Sequence, residues 1–362
     1  MRFNENRWEV ELHIHLDGAF RPSTVYRYAE KKGIHVPGSN AEEFTSRLAI
    51  TQPNSLSSFL QTFDYIISPI AGDKEAINQI TLDFVEDCVT RGGHCYVEPR
   101  FSPHILTGGK LSAEEVTKTV LDALERGGAN HDLQWRAILC MMRGNPEWSD
   151  DVVAIAKKFQ PYGVVAVDVA GDDKPCDGTN TDPRIKEAFK KAKAGGLHCI
   201  AHAGENGPAA SVTEAVHEMF AERIGHGYHI LDDPAVYKDV RERNIHFEAS
   251  FSPSNVCPLS SKLTGSVHGE WSSHPITRFE ADKVNYSIST DDPTVTGQWM
   301  QAEKRMLAMQ MVLEGEQFHM ANLRAAEACF LGAEDKAASA TSGVNHAALS
   351  AQQPPGRRAE EL

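Results

Sequence analysis

Short apolar runs recur along the chain and alternate with longer stretches of helical periodicity. The runs are Glu11–Leu16, Cys95–Phe101, Gln134–Met141, Val164–Ala170, Leu197–Ala203, Arg223–His229, Ile245–Ala249 and Val284–Thr290. Each has the length of a strand, and the stretches between them have the length of helices, which predicts parallel βα units. Eight such units favour a closed α/β barrel of the (β/α)8 TIM type, with additional helices, over an open doubly wound sheet. No GxGxxG or GxxxxGK[ST] loop occurs, so a nucleotide-phosphate fold has no support.

The helical stretches carry their own punctuation. Ser112 and Glu115 form a capping-box pattern ahead of Val116, Val120 and Leu124, and Gly127 is read as the stop. Val25, Tyr28 and Ala29 repeat at helical spacing until Gly33. Leu56, Phe59, Leu60 and Phe63 fall at i, i+3, i+4 and i+7, ahead of Ile66 and Ile67. A core-facing stripe is the default for this pattern, and a hydrophobic lid over a pocket mouth is the sharper reading.

Bulk properties narrow the class. Of 362 residues, 41% are hydrophobic and 24% charged, enough apolar mass for a core. One barrel over residues 1–332 is expected, followed by a flexible tail, 333–362, rich in Ala, Ser, Gln, Pro and Arg and without periodicity. The net charge of -14 disfavours nucleic acid or an anionic membrane as partner. No run reaches the length of a membrane span, and Met1 to Val10 lacks the apolar core of a signal peptide. Seven scattered cysteines with no CxxC pair argue against a disulfide framework and point to a reducing cytoplasmic compartment.

The chemistry-bearing residues stand at the ends of the strand runs, where barrel active sites are built. In Leu12-His13-Ile14-His15-Leu16-Asp17-Gly18, period two puts His13 and His15 on one face. That face is expected to be apolar-lined if it points into the barrel. Two inward histidines need satisfying, by a metal or, more blandly, by hydrogen bonds. Ala201-His202-Ala203-Gly204-Glu205 ends another strand, with Gly204 allowing a bend that could return Glu205 over the same site. Helix-entry pairing with a backbone amide is the plainer role for Glu205. Ile224-Gly225-His226-Gly227-Tyr228-His229 sets His226 between glycines, which suggests close backbone approach, and leaves His229 as a hydrogen-bonding neighbour. After the last strand, Ser289-Thr290-Asp291-Asp292-Pro293 brings adjacent carboxylates that repel unless cations or donors hold them; a plain turn is the alternative. Together the groups supply nitrogen and oxygen ligands without a thiolate, a set that fits zinc with one position left for water. Two decoys are set aside. His268-Gly269-Glu270 lacks the Pro-Cys-x-x-Cys partner of the cytidine-deaminase signature, and His217-Glu218 does not continue to a second histidine.

The stretches ELHIHLDGAFRP, YVEPRFSPH, VVAVDVAGDD, HAGENG, RIGHGYH, CPLSSKLTG and NYSISTDDP follow one another in an order that resembles the adenosine deaminases of the amidohydrolase superfamily, over roughly Val10 to Leu331. The resemblance implies hydrolytic deamination of adenosine and 2′-deoxyadenosine to inosine and 2′-deoxyinosine, with one zinc ion per chain at the C-terminal face of the barrel. It implies His13, His15, His202 and Asp291 as zinc ligands, Glu205 as proton donor to the purine ring, and His226 as the group that orients and deprotonates the attacking water. It further implies Asp292, His15 and the backbone amide of Gly171 as contacts to a purine nucleoside, Asp17 as partner of the ribose 5′-hydroxyl, and the stripe Leu56, Phe59, Leu60 and Phe63 as a gate. Two departures stand out. Ser250 to Val256 intervene where the family runs almost directly into CPLSS, and the tail lacks the charged helix with which animal members commonly end.

Rival readings are deamination of N6-methyl-AMP or another adenine nucleotide, and of free adenine. By resemblance those relatives tend to carry Asn or Glu where this chain has Asp17, and a negative Asp17 would repel a 5′-phosphate. A ligand- or receptor-binding protein on an inherited barrel would have lost a ligand or Glu205, and none is lost. A two-metal cyclic-amide hydrolase would often need a bridging lysine before Ala170-Gly171, and none stands there.

Overall fold

The computed structural model describes residues 7–48, 63–173, 181–250, 274–311 and 313–332. Among the described residues nine strands form: β1 (Glu9–His15), β2 (His94–Phe101), β3 (Gln134–Trp135), β4 (Ala137–Met142), β5 (Val164–Ala170), β6 (His198–Ala203), β7 (Arg223–His226), β8 (His246–Ser250) and β9 (Tyr286–Ser289). Eight of them pair in parallel in the order β1-β2-β4-β5-β6-β7-β8-β9, and β3 is a short spur on β2. The seam between first and last strand closes through Asp291, whose amide donates to His13 O at 2.9 Å and whose carbonyl accepts from His15 N at 2.8 Å. This is the expected (β/α)8 barrel, with helices between the strands.

The capping box at Ser112 and Glu115 forms as predicted, opening the helix Ala113–His131. Gly127 does not end that helix, which runs on to His131 and stops at left-handed Asp132. A Cβ on Gly127 would press on Val85 at 3.1 Å, and one on Gly128 would lie 2.8 Å from Leu133 O. These glycines serve close packing rather than termination. Gly33, with φ 65°, does end the helix Pro22–Lys32, which buries Val25, Tyr28 and Ala29 against the barrel.

Two strand boundaries differ from expectation. The run Gln134–Met141 is broken at Arg136, whose amide pairs with Val97 O between the two strand pieces. The run Arg223–His229 stops at His226, because His226 and Gly227 take φ of 68° and 72° and turn the chain into the helical turn Tyr228–Asp232. Of the apolar stripe, only Phe63 is described, in the short helix Phe63–Ile67 and packed on the core; Leu56, Phe59 and Leu60 lie outside the described residues. So do 251–256 and the tail 333–362.

The largest departure is inside the barrel. The inward face was expected to be apolar, yet Glu11, Glu98, Arg100, Asp168, Arg223 and Glu248 are all buried there. Five of them are tolerated because they pair with one another, and Glu11 because it accepts from His13 N and from Thr290. Arg100 reaches Asp168 at 2.8 Å and Glu248 at 2.6 Å, while Arg223 reaches Glu98 at 2.6 Å. The floor of the barrel is covered by the segment after the helix Gly315–Ala328: Cys329 and Leu331 pack on Val10, Leu12 and Tyr96 near the starts of β1 and β2, and Phe330 packs on Ile138, Ala166 and Ile200 near the starts of β4, β5 and β6.

Candidate active site

At the opposite, C-terminal end of the strands, four histidines and three carboxylates converge. His13, His202, His226 and Asp291 each offer an atom within 4.8 Å of the others, a grouping that could hold a metal ion. His15 adjoins it, its Nε2 standing 3.1 Å from His202 Nε2 and 3.6 Å from Asp291 Oδ1.

What stands behind each ring assigns its tautomer. His13 Nδ1 donates to Glu248 Oε2 at 2.7 Å, and His202 Nδ1 lies 3.0 Å from Asp168 Oδ2. His15 Nδ1 is 3.5 Å from Asp17 Oδ1. His226 Nδ1 sits 3.1 Å from the Tyr228 hydroxyl, which donates its own proton to Ser250 O at 2.5 Å. The phenol oxygen therefore accepts, and His226 Nδ1 carries the hydrogen. In the rings of His13, His202 and His226, Nε2 is left with its lone pair facing the centre, the arrangement of metal-ligating or basic histidines with supporting partners. His13 Nε2 is buried with no hydrogen-bond partner among the described residues.

The charges agree with a cation at this point. His15 is pushed up to about 9: burial opposes its protonation, but Asp17, Asp292 and Asp291 outweigh it. Burial holds His226 well below the ordinary histidine range, and brings His202 to about 4 against the pull of Asp168. Asp291 is buried, yet His13, His226 and His15 keep it ionised. Its neighbour Asp292 is raised by burial and by Asp291, so the pair holds one proton, on Asp292. Glu205 is likewise raised, by burial first and then by Asp291, Asp173 and Asp292. Its Oε2 lies 3.6 Å from His226 Nε2.

The same architecture occurs in solved structures, among them the adenine deaminase of Arthrobacter aurescens, with a TM-score of 0.82 at 20% identity over 94% of this chain and 99% of that one. The sequence comparison is more specific. An adenosine deaminase family model matches residues 9–345. The chain belongs to the adenosine deaminase family. Curated adenosine deaminases of Xenopus tropicalis and Gallus gallus are 40% and 39% identical to it, each over 91% of this chain and 93% and 92% of their own lengths.

In this family member Asp17 also adjoins the cluster, its Oδ1 3.5 Å from His15 Nδ1. Asp17, buried, accepts from Ser102 N at 3.1 Å. Gly171, at φ 100°, begins the loop after β5. His229 is turned away and pairs with Asp232 at 2.6 Å on the surface.

Sequence reasoning missed the supporting residues Asp168, Glu248, Arg100 and Tyr228, and also Asp173, which accepts from the amides of Asn206 and Gly207 at 2.9 and 2.7 Å and so fixes the loop carrying Glu205. It missed two glycines as well. A Cβ on Gly18 would lie 1.7 Å from Asp292 Oδ1, and one on Gly225 would lie 2.7 Å from His13 Cε1. A signal did exist for some of them. Asp168 is the lone acid in VVAVDVA, and Glu11, Glu98, Arg100 and Glu248 recur in strand runs where apolar residues are the rule.

Proposed function

We infer that this chain deaminates adenosine and 2′-deoxyadenosine by hydrolysis, releasing inosine or 2′-deoxyinosine and ammonia. The observation that carries this reading is the convergence of His13, His202, His226 and Asp291 in one largely buried cluster, with Glu205 Oε2 3.6 Å from His226 Nε2.

Purine carbon six is a weak electrophile. A proton delivered to ring nitrogen one as water adds relieves the negative charge that would otherwise build on the ring. Glu205 is the donor, since burial and then its acidic neighbours raise its carboxyl well above the ordinary range. His226 Nε2, free and neutral, orients the attacking water and takes its proton, while Tyr228 fixes the ring behind it. Asp292 and the Gly171 amide hold the other purine nitrogens. Asp17 receives the 5′-hydroxyl.

His13, His15, His202 and Asp291 are the residues that would hold one zinc ion. When bound, zinc lowers the pKa of water from 15.7 to about 7, so hydroxide is available near neutrality.

Buried Asp17 beside His15 favours a neutral nucleoside over a 5′-phosphate. None of the five described cysteines forms a disulfide, in keeping with a cytoplasmic home. No described helix is long and apolar enough to cross a membrane. Nucleic acid is not a partner on this reading, given the acidic surface.

The deciding experiment offers the purified protein adenosine, AMP, N6-methyl-AMP and adenine, and follows the ultraviolet shift from adenine to hypoxanthine. Adenosine is expected to react fastest. A faster reaction with either nucleotide, or with adenine, replaces the substrate assignment. Metal analysis should return one zinc per chain, and a chain that takes up none removes the metal from the mechanism.

A further inference from the structure

The charged column inside the barrel does not end at the histidines. It runs the length of the barrel to the floor and meets the backbone of the C-terminal segment. Glu98 accepts from Phe330 N and from the Tyr96 hydroxyl, both at 2.6 Å. Arg223, buried, donates to Ala328 O at 3.1 Å and to Glu98 at 2.6 Å, and its guanidinium lies 4.0 Å over the Phe330 ring. His198 stacks on the Phe330 ring, with centroids 3.9 Å apart and planes at 8°.

From there the column is continuous. Arg223 Nε stands 2.7 Å from Glu248 Oε1. The second oxygen of Glu248 takes Arg100 at 2.6 Å and His13 Nδ1 at 2.7 Å. Arg100 passes to Asp168, and Asp168 to His202. Three carboxylates, Glu98, Asp168 and Glu248, thus share two guanidinium groups, Arg100 and Arg223. Two of these carboxylates also support histidines, and the place of Glu248 depends on how firmly Arg223 is held from below.

We propose that Ala328–Leu331 is a positioning plug: by fixing Arg223 and Glu98 at the floor it sets Glu248 against His13, and so governs how tightly the site holds its metal. The inference rests on the metal reading given above. A segment that only filled space would need no polar contact with the column. Here both its amide and its carbonyl are spent on the lowest ion pair.

The test uses the full-length, zinc-loaded chain and three variants: Phe330→Ala, Phe330→Tyr, and Tyr96→Phe, which removes only the hydroxyl donated to Glu98. Melting temperature reports the fold, and the rate of zinc loss to a coloured chelator reports the site. Phe330→Ala is expected to release zinc about tenfold faster, the lower end of the range for groups that orient metal ligands, with the KM for adenosine unchanged. Phe330→Tyr restores the unaltered rate. Tyr96→Phe moves in the same direction as Phe330→Ala, to a smaller extent, and decides the matter if Phe330→Ala does not fold. Folded variants that keep zinc as long as the unaltered chain overturn the plug. An unaltered chain that binds no zinc instead overturns the metal reading on which it stands.

Discussion

Burial and neighbouring acids raise the Glu205 and Asp292 carboxyls well above the ordinary carboxyl range. Replacing Glu205 by Gln keeps the shape but removes the proton that can be transferred. Glu205→Gln should retain metal and lose activity by at least about 100-fold, within the range for general acid catalysis; near-normal turnover with adenosine would take the acid role away from this residue. Asp17→Asn removes the charge that opposes a 5′-phosphate. The ratio of kcat/KM for adenosine to that for AMP should fall, and an unchanged ratio would leave Asp17 without a part in selection. Gly18 is the least obvious of the site residues. Any side chain there must displace the Asp292 carboxyl, so Gly18→Ala should fold, retain metal and lose kcat/KM by about tenfold or more, as a misplacement near 1 Å can cost up to about 100-fold.

Strands and their spacing were legible because a buried parallel strand is a short apolar run bounded by turns, and this holds for β5, β6 and β8 nearly residue for residue. The His-x-His of β1 was legible because period two admits only one shared face. What lay behind those histidines was not. Glu248 is 235 residues from His13, and pairing across that distance is set by barrel closure, which no local pattern records. Gly127 was misread because glycine serves both helix ends and close contacts, and only Val85 on another helix decides between them. At this scale a stability prediction also follows. His246 on β8, held between Asn285 and Ser287, is lowered by burial from 6.5 to about 4, and buried His94 is lowered to about 3. Both are neutral when folded, whereas the unfolded chain protonates them below 6.5. Their contribution is complete above that pH and is lost as the pH falls toward 4. The shift at His246 is worth roughly 3 kcal/mol, so urea unfolding should show stability declining from pH 6.5 to 4, with a shallower decline in His246→Asn. An equal slope in the two proteins would show that His246 contributes nothing.

For the whole molecule, the ligands proposed above would come from β1, β6 and the loop after β9, so a bound ion would link distant parts of one barrel. A ligand that binds only the folded state stabilises it, by about 2.7 kcal/mol at a hundred times its Kd. Stripping the metal should therefore lower the melting temperature by a few degrees, fully restored by zinc; no change on stripping would mean that the site adds nothing to the fold.

The seam between β1 and β9 gives this architecture a temporal side. Asp291 is at once the stitch that closes the ring and a member of the ion-holding cluster. During synthesis His13 and His15 precede all the later strands, and their carboxylate companion exists only once β9 has been made. A nascent chain halted before residue 291 would have neither a shut cylinder nor the full candidate metal cluster, so both wait on the segment that follows β9.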